Sequence, residues 1–123
     1  MKDVGTIANR LVELCRACEF DTAIDELYAE NIISDEPTGT PMNHIEGITG
    51  VRGKTAHFVE NFKVNTITVS EPLVAENTFS VKMSLDCTHK EAGKVHMEEI
   101  CVYEVLNGKI AHEHFFYTPH ATA

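Results

Sequence analysis

Two glutamates in the stretch "EEICVYEVLNGKIAHEHFFY" sit where a carboxylate is costly. Read as two strands about Asn107–Gly108, the stretch places Glu99 with Val95, Met97, Cys101 and Tyr103, and Glu113 with Ala111, Phe115 and Tyr117. The opposite faces carry His96, Glu98, Ile100 and Val102, then His112, His114 and Phe116. A carboxyl group in apolar surroundings tends to keep its proton, and so can act as a general acid, or as a base tuned towards neutrality. A third acid, Glu36, precedes Pro37, which biases it to an extended backbone at the end of a short strand. The chemistry this set could perform is proton transfer. Glu36 is expected as base, Glu99 as a neutral hydrogen-bond donor and Glu113 as a second acid or orienting group, with Phe58, Cys101, Tyr103, Phe115 and Tyr117 as the wall of an apolar pocket. The competing reading pairs each acid with Lys54, Lys63, Arg10 or Arg52, or leaves it in water at the cavity mouth.

The register of the hairpin decides whether the glutamates meet. With a two-residue Asn107–Gly108 loop, Val102 opposes Glu113 and the two acids face opposite ways. With Leu106, Asn107 and Gly108 as a three-residue loop, Cys101 opposes Glu113, Glu99 opposes Phe115, and both acids enter one cavity. The second is expected, because it also gathers Cys101, Tyr103, Phe115 and Tyr117 on the pocket face.

The elements that must position these residues read as helices first and strands second. A helix is expected from Val4 to Cys18, with Ile7, Leu11, Leu14 and Cys18 on one face. Asp21 is the expected N-cap of a second helix carrying Ala23, Ile24, Leu27 and Tyr28. Ile32–Ile33 forms a short strand, and "SDEPTGTPMNHIEGITG" reads as a long surface loop. A third helix spans roughly Thr49 to Phe62, with Val51, Thr55, Phe58 and Phe62 at helical spacing. In "TFSVKMSLDCT" the apolar residues alternate strictly, which predicts a half-buried strand, and Pro72 demotes the second half of "TITVSEPLVA" to an edge or bend. The fold class is α+β: one domain over residues 1–123, its N-terminal helices packed in the concave face of a curved, mostly antiparallel sheet.

Bulk properties narrow the partners. A net charge of −9 and a pI near 5.1 disfavour nucleic acid and anionic membrane. With neither a signal peptide nor a membrane span evident, the cytoplasm is expected, and the four cysteines are expected to be reduced and buried. His112 and His114 could chelate with His120 or His96, but they read as a wet surface or a subunit interface, so no metal is expected. Gly47, Gly50 and Gly53 follow no clear strand, so a phosphate loop is not expected.

The order of elements resembles a known family. "LCRACEFDTAIDELYAENIISDEPTG", then "EGITGVRGKTAHFVENF", then "VYEVLNGKIAHEHFFY" is similar to nuclear transport factor 2-like domains of the SnoaL-like branch, over almost the whole chain. The resemblance implies a cone-shaped sheet around a deep pocket, a small apolar ligand, and a homodimer through the outer sheet face, which would cover Ile100, Val102 and Phe116. The family includes polyketide cyclases, ketosteroid isomerases, dehydratases and domains that only bind. Ketosteroid isomerase, a worked case of acid–base tuning, uses an aspartate base with a tyrosine and a protonated aspartate. Its base maps onto Glu36 and its protonated acid onto Glu99, while the helix-one tyrosine is replaced here by Leu11 or Val12. Glu113 falls where SnoaL-type cyclases place a histidine. Only the acids of those sites are matched, so an acid–base isomerase or cyclase-like enzyme, needing no cofactor, and a non-catalytic binding module both stay open.

Overall fold

The computed structural model describes residues 2–119. Helix α1 (Val4–Arg16) starts where the Asp3 side chain accepts the Thr6 amide at 2.8 Å. It ends two residues before the expected stop. The Glu19 amide reaches back to the Leu14 carbonyl at 2.9 Å and the Cys18 amide to Cys15 at 3.0 Å, a Schellman closure with Cys18 left-handed at φ 57°. Cys18 is therefore exposed, contrary to expectation, whereas Cys15, Cys87 and Cys101 are free and buried. Helix α2 (Phe20–Leu27) begins before Asp21, so that residue lies in the first turn rather than at the cap. Arg10 clamps the two helices together through both Glu26 oxygens, at 2.8 and 2.7 Å.

Tyr28 leaves the helix and opens strand β1 (Tyr28–Asp35), much longer than the expected Ile32–Ile33 pair. Ile32 and Ser34 face inward, both fully buried. Strand β2 (His44–Glu46) emerges from the segment read as a loop and pairs antiparallel with β1. Helix α3 (Ile48–Asn61) follows, then β3 (Phe62–Val69), the short exposed β4 (Leu73–Ala75), β5 (Thr78–His89), β6 (Gly93–Leu106) and β7 (Lys109–Phe116). The sheet runs β2-β1-β7-β6-β5-β3, with β4 added beside β5. It is mostly antiparallel, as expected. It is not a pure meander, because β1 lies parallel to β7 and joins the N-terminal half of the chain to its last strand.

The β6–β7 hairpin corrects the expected loop while keeping its consequence. Asn107 and Gly108 have φ 54° and 76° and form a two-residue turn between Leu106 and Lys109. The register then shifts between Glu104 and Val105, so Val105 faces Ile110 but Tyr103 faces Glu113, with Ala111 the extra residue of a bulge. The bulge reverses the parity that the tight turn sets. Glu99 and Glu113 thus both point to the concave side.

That side holds the core, where Ile7, Leu11, Leu27 and Val51 of the helices pack against the sheet. Phe79 and Tyr103 stack there at 4.9 Å between centroids. Among the described residues, no helix is long and apolar enough to cross a membrane.

Candidate active site

Helices α1, α2 and α3 do not fill the concave face completely, and a cavity of about 340 Å³ remains between them and the sheet. Its apolar wall includes Phe20, Phe58, Phe62, Met83, Met97 and Phe115. All three expected acids line it, together with Phe58, Tyr103, Phe115 and Tyr117. Cys101 does not. It is fully buried, and its thiol donates to Glu99 Oε1 at 3.5 Å.

Each acid is positioned differently. Glu113, 2% exposed, projects from β7 opposite Tyr103 and beside Ser34 of the parallel strand β1. The hydroxyls of Tyr28 and Ser34 donate to its two oxygens, the latter at 2.6 Å. Lys54 Nζ lies 3.8 Å away. Burial raises the Glu113 pKa, against the lysine charge and both hydroxyl donors, which pull it down.

Glu36, at the end of the inward alternation Ile32–Ser34–Glu36, accepts from Lys54 Nζ at 2.7 Å and from the Tyr117 hydroxyl at 2.5 Å. Lys54 also donates to Ser34 Oγ at 2.7 Å and lies 4.9 Å from the centre of the Phe115 ring. The side chains of Lys54 and Glu36 are only 15% and 17% exposed. One lysine therefore binds two carboxylates into a single network.

Glu99 is outside that network. It is half-buried and, among the described residues, has no cationic partner within salt-bridge distance. Desolvation pushes its pKa up to about 7, with smaller upward pushes from Glu36 and Glu113, against the Cys101 contact and Lys54. A carboxyl group so placed is part acid and part base at neutral pH, the condition that favours proton shuttling.

The sequence places Tyr28 only on the second helix and offers Lys54 only as an ion-pair partner for the acids. Lys54 was nonetheless visible, since it falls on the Val51–Thr55–Phe58 stripe of α3, where a cation needs a partner. Ser34 had a weaker signal, its alternation with Ile32. Tyr28 had none, because it continues the helical pattern of Ile24 and Leu27. The ketosteroid-isomerase comparison expected a tyrosine on the first helix. Tyr28 and Tyr117 bring phenol groups to the cavity from the start of β1 and from just beyond β7 instead.

The fold and sequence have clear relatives. A family model described as a SnoaL-like domain matches residues 3–117. A crystal structure from Mesorhizobium loti, of a candidate SnoaL-like polyketide cyclase also labelled carbohydrate phosphatase, is 32% identical with a TM-score of 0.89. The alignment covers 95% of this chain and 100% of that one. An NTF2-like protein of unknown function from Burkholderia pseudomallei has a TM-score of 0.79 at 12% identity, covering 96% of this chain and 92% of its own. A candidate isomerase from Bacillus subtilis has a TM-score of 0.73 at 18% identity, covering 94% and 86%. These two likenesses establish the cystatin-like, NTF2-like fold alone. No functionally curated protein matches the sequence. On the strength of the family match and the Mesorhizobium likeness, the chain belongs to the SnoaL-like domain family.

Proposed function

We propose that the cavity binds a small, largely apolar carbonyl compound and moves a proton on it without a cofactor, as an isomerase or cyclase-like enzyme does. The observation that carries this reading is Glu99, a cavity-lining carboxyl with a pKa near 7 and no cationic partner among the described residues. In its ionised form Glu99 takes a proton from the carbon next to the carbonyl. The resulting enolate oxygen is stabilised by Lys54, whose ammonium has one donor beyond the two it gives to Glu36 and Ser34. The protonated Glu99 then returns its proton to another carbon of the enolate, or the enolate attacks a second carbonyl of the same molecule. Glu36 and Glu113 hold Lys54 in place, so Glu99 rather than Glu36 is the proton carrier. One lysine against three acids also disfavours anionic substrates such as phosphate esters. The proposal includes a homodimer through the outer sheet face, supported by Ile100 and Phe116, which are 45% and 49% exposed there.

Exchange of α-protons for solvent deuterium in a panel of small cyclic ketones, followed by NMR, tests the reading. The wild-type protein should accelerate exchange with a rate that rises through pH 7, and Glu99→Gln should slow it by ~10²–10⁴-fold. Glu36→Gln should impair exchange less. Ketones that bind, shown by perturbed protein resonances, but do not exchange would make the domain a non-catalytic binder.

A further inference from the structure

The strand that sends Glu113 into the cavity sends His112 and His114 to the opposite face of the sheet. There they meet Asp35 of β1, the direct cross-strand neighbour of His114. One potential ligand atom from each of Asp35, His112 and His114 lies within 4.8 Å of the others. His112 Nε2 is 2.7 Å from Asp35 Oδ2, and the two imidazole rings are nearly parallel, 16° apart, with centroids at 6.1 Å. His114 is further steadied by stacking on Phe116 at 4.1 Å.

The geometry points to a divalent transition-metal site formed by Asp35, His112 and His114 on this outer face, of the kind that takes zinc. Two imidazoles and one carboxylate are a donor set suited to zinc, cobalt or nickel, whereas magnesium and calcium require mostly oxygen donors. Ligand atoms around tetrahedral zinc are ~3.3 Å apart. The His112–Asp35 contact at 2.7 Å therefore needs to open by only about 0.6 Å as the ion replaces a shared proton.

A supporting contact is already built. His44 Nδ1 lies 2.5 Å from Asp35 Oδ1 and its Nε2 lies 3.0 Å from Glu46 Oε2. This contact fixes the Asp35 carboxylate with its other oxygen directed at His112, the arrangement that outer-shell partners impose on metal ligands. Glu104, exposed on β6 opposite His112, adds negative charge beside the ion. His96 is paired with Asp86 and Glu98, and lies eight residues along β6 from Glu104, roughly 26 Å away on an extended strand. His120, the other third ligand considered from sequence, falls outside the described residues.

The test uses tag-free protein stripped with a chelator and titrated with zinc chloride against a chromogenic competitor. Cobalt is titrated in parallel, so that visible absorption reports its coordination. The expected result is one saturable zinc per chain. His112→Ala and His114→Ala should each weaken binding by more than about tenfold, and His44→Ala, acting through Asp35, by about tenfold. His96→Ala should leave binding unchanged, as should millimolar magnesium. His112→Gln and a far-ultraviolet spectrum of each variant guard against loss of fold. Absence of saturable binding would overturn the site, and so would binding that survives both alanine variants or disappears with His96→Ala.

Discussion

Replacing Glu99 by glutamine should make the protein more stable in alkaline solution while changing little in acid. Glutamine imitates the protonated acid, so below the ordinary glutamate pKa the two proteins carry the same charge at this position. In the wild type the folded-state pKa is raised from 4.5 to about 7. Between those values the unfolded chain releases the proton and the folded chain keeps it, so wild-type stability falls as pH rises through this window. The loss is complete once the pH passes the folded value. At 1.36 kcal/mol per pH unit, a rise from 4.5 to about 7 amounts to ~3 kcal/mol. Glu99 is only half-buried, and solvent screening reduces that figure to about 2 kcal/mol. For a domain of this size such a difference shifts the unfolding temperature by roughly 5–10 °C. Thermal unfolding of both proteins at intervals from pH 4 to pH 9 measures it. The Glu99→Gln curve should lie close to wild type at pH 4 and above it by the stated amount at pH 8. Parallel curves across the whole range would show that Glu99 is solvated, and the basis for assigning it a proton-transfer role would be lost.

Other perturbations test the network around it. Lys54→Met removes the cation from Glu36 and Glu113, and should cost ~3–5 kcal/mol in urea unfolding at pH 8. The cost should shrink towards pH 5, as the abandoned carboxylates take up protons. Glu113→Ala strips the Tyr28 and Ser34 hydroxyls of their acceptor and leaves a void, and should destabilise by about 3 kcal/mol in the same assay. With a chromogenic disulfide reagent under native conditions, Cys18 should react quickly, and Cys15, Cys87 and Cys101 only on unfolding. Burial lifts the Cys15 thiol pKa to about 12, which further slows that site.

What could be read from sequence follows the range of the interactions that decide it. The strict alternation of Phe79, Val81, Met83, Leu85 and Cys87 is a local signal, and β5 carries those side chains inward as expected. The convergence of Glu99 and Glu113 was also legible, although the expected mechanism was wrong. Asn107–Gly108 makes the tight turn its residues favour, and the bulge at Ala111 has no marker in residue type. β1 was underestimated because its partner, β7, lies some eighty residues away, and parallel pairing at that distance leaves no local trace. Tyr28 was lost with it. The Lys54–Glu36–Glu113 network joins helix α3 to β7 and to the residue just after β1, so its charges could be counted from sequence but not paired.

The extra residue at Ala111 has a wider consequence. Along β7, carboxylate and aromatic side chains alternate with imidazoles, so one ribbon encodes two different interiors. A slide to the unkinked ladder would turn His112 and His114 inward and expel Glu113, setting two imidazoles beside Glu36 and Glu99 with no substitution at all. Excising Ala111 should instead leave Glu113 in place, since the residues beyond it would keep their neighbours on β6. The chamber is thus insensitive to losing the extra residue and sensitive to sliding past it.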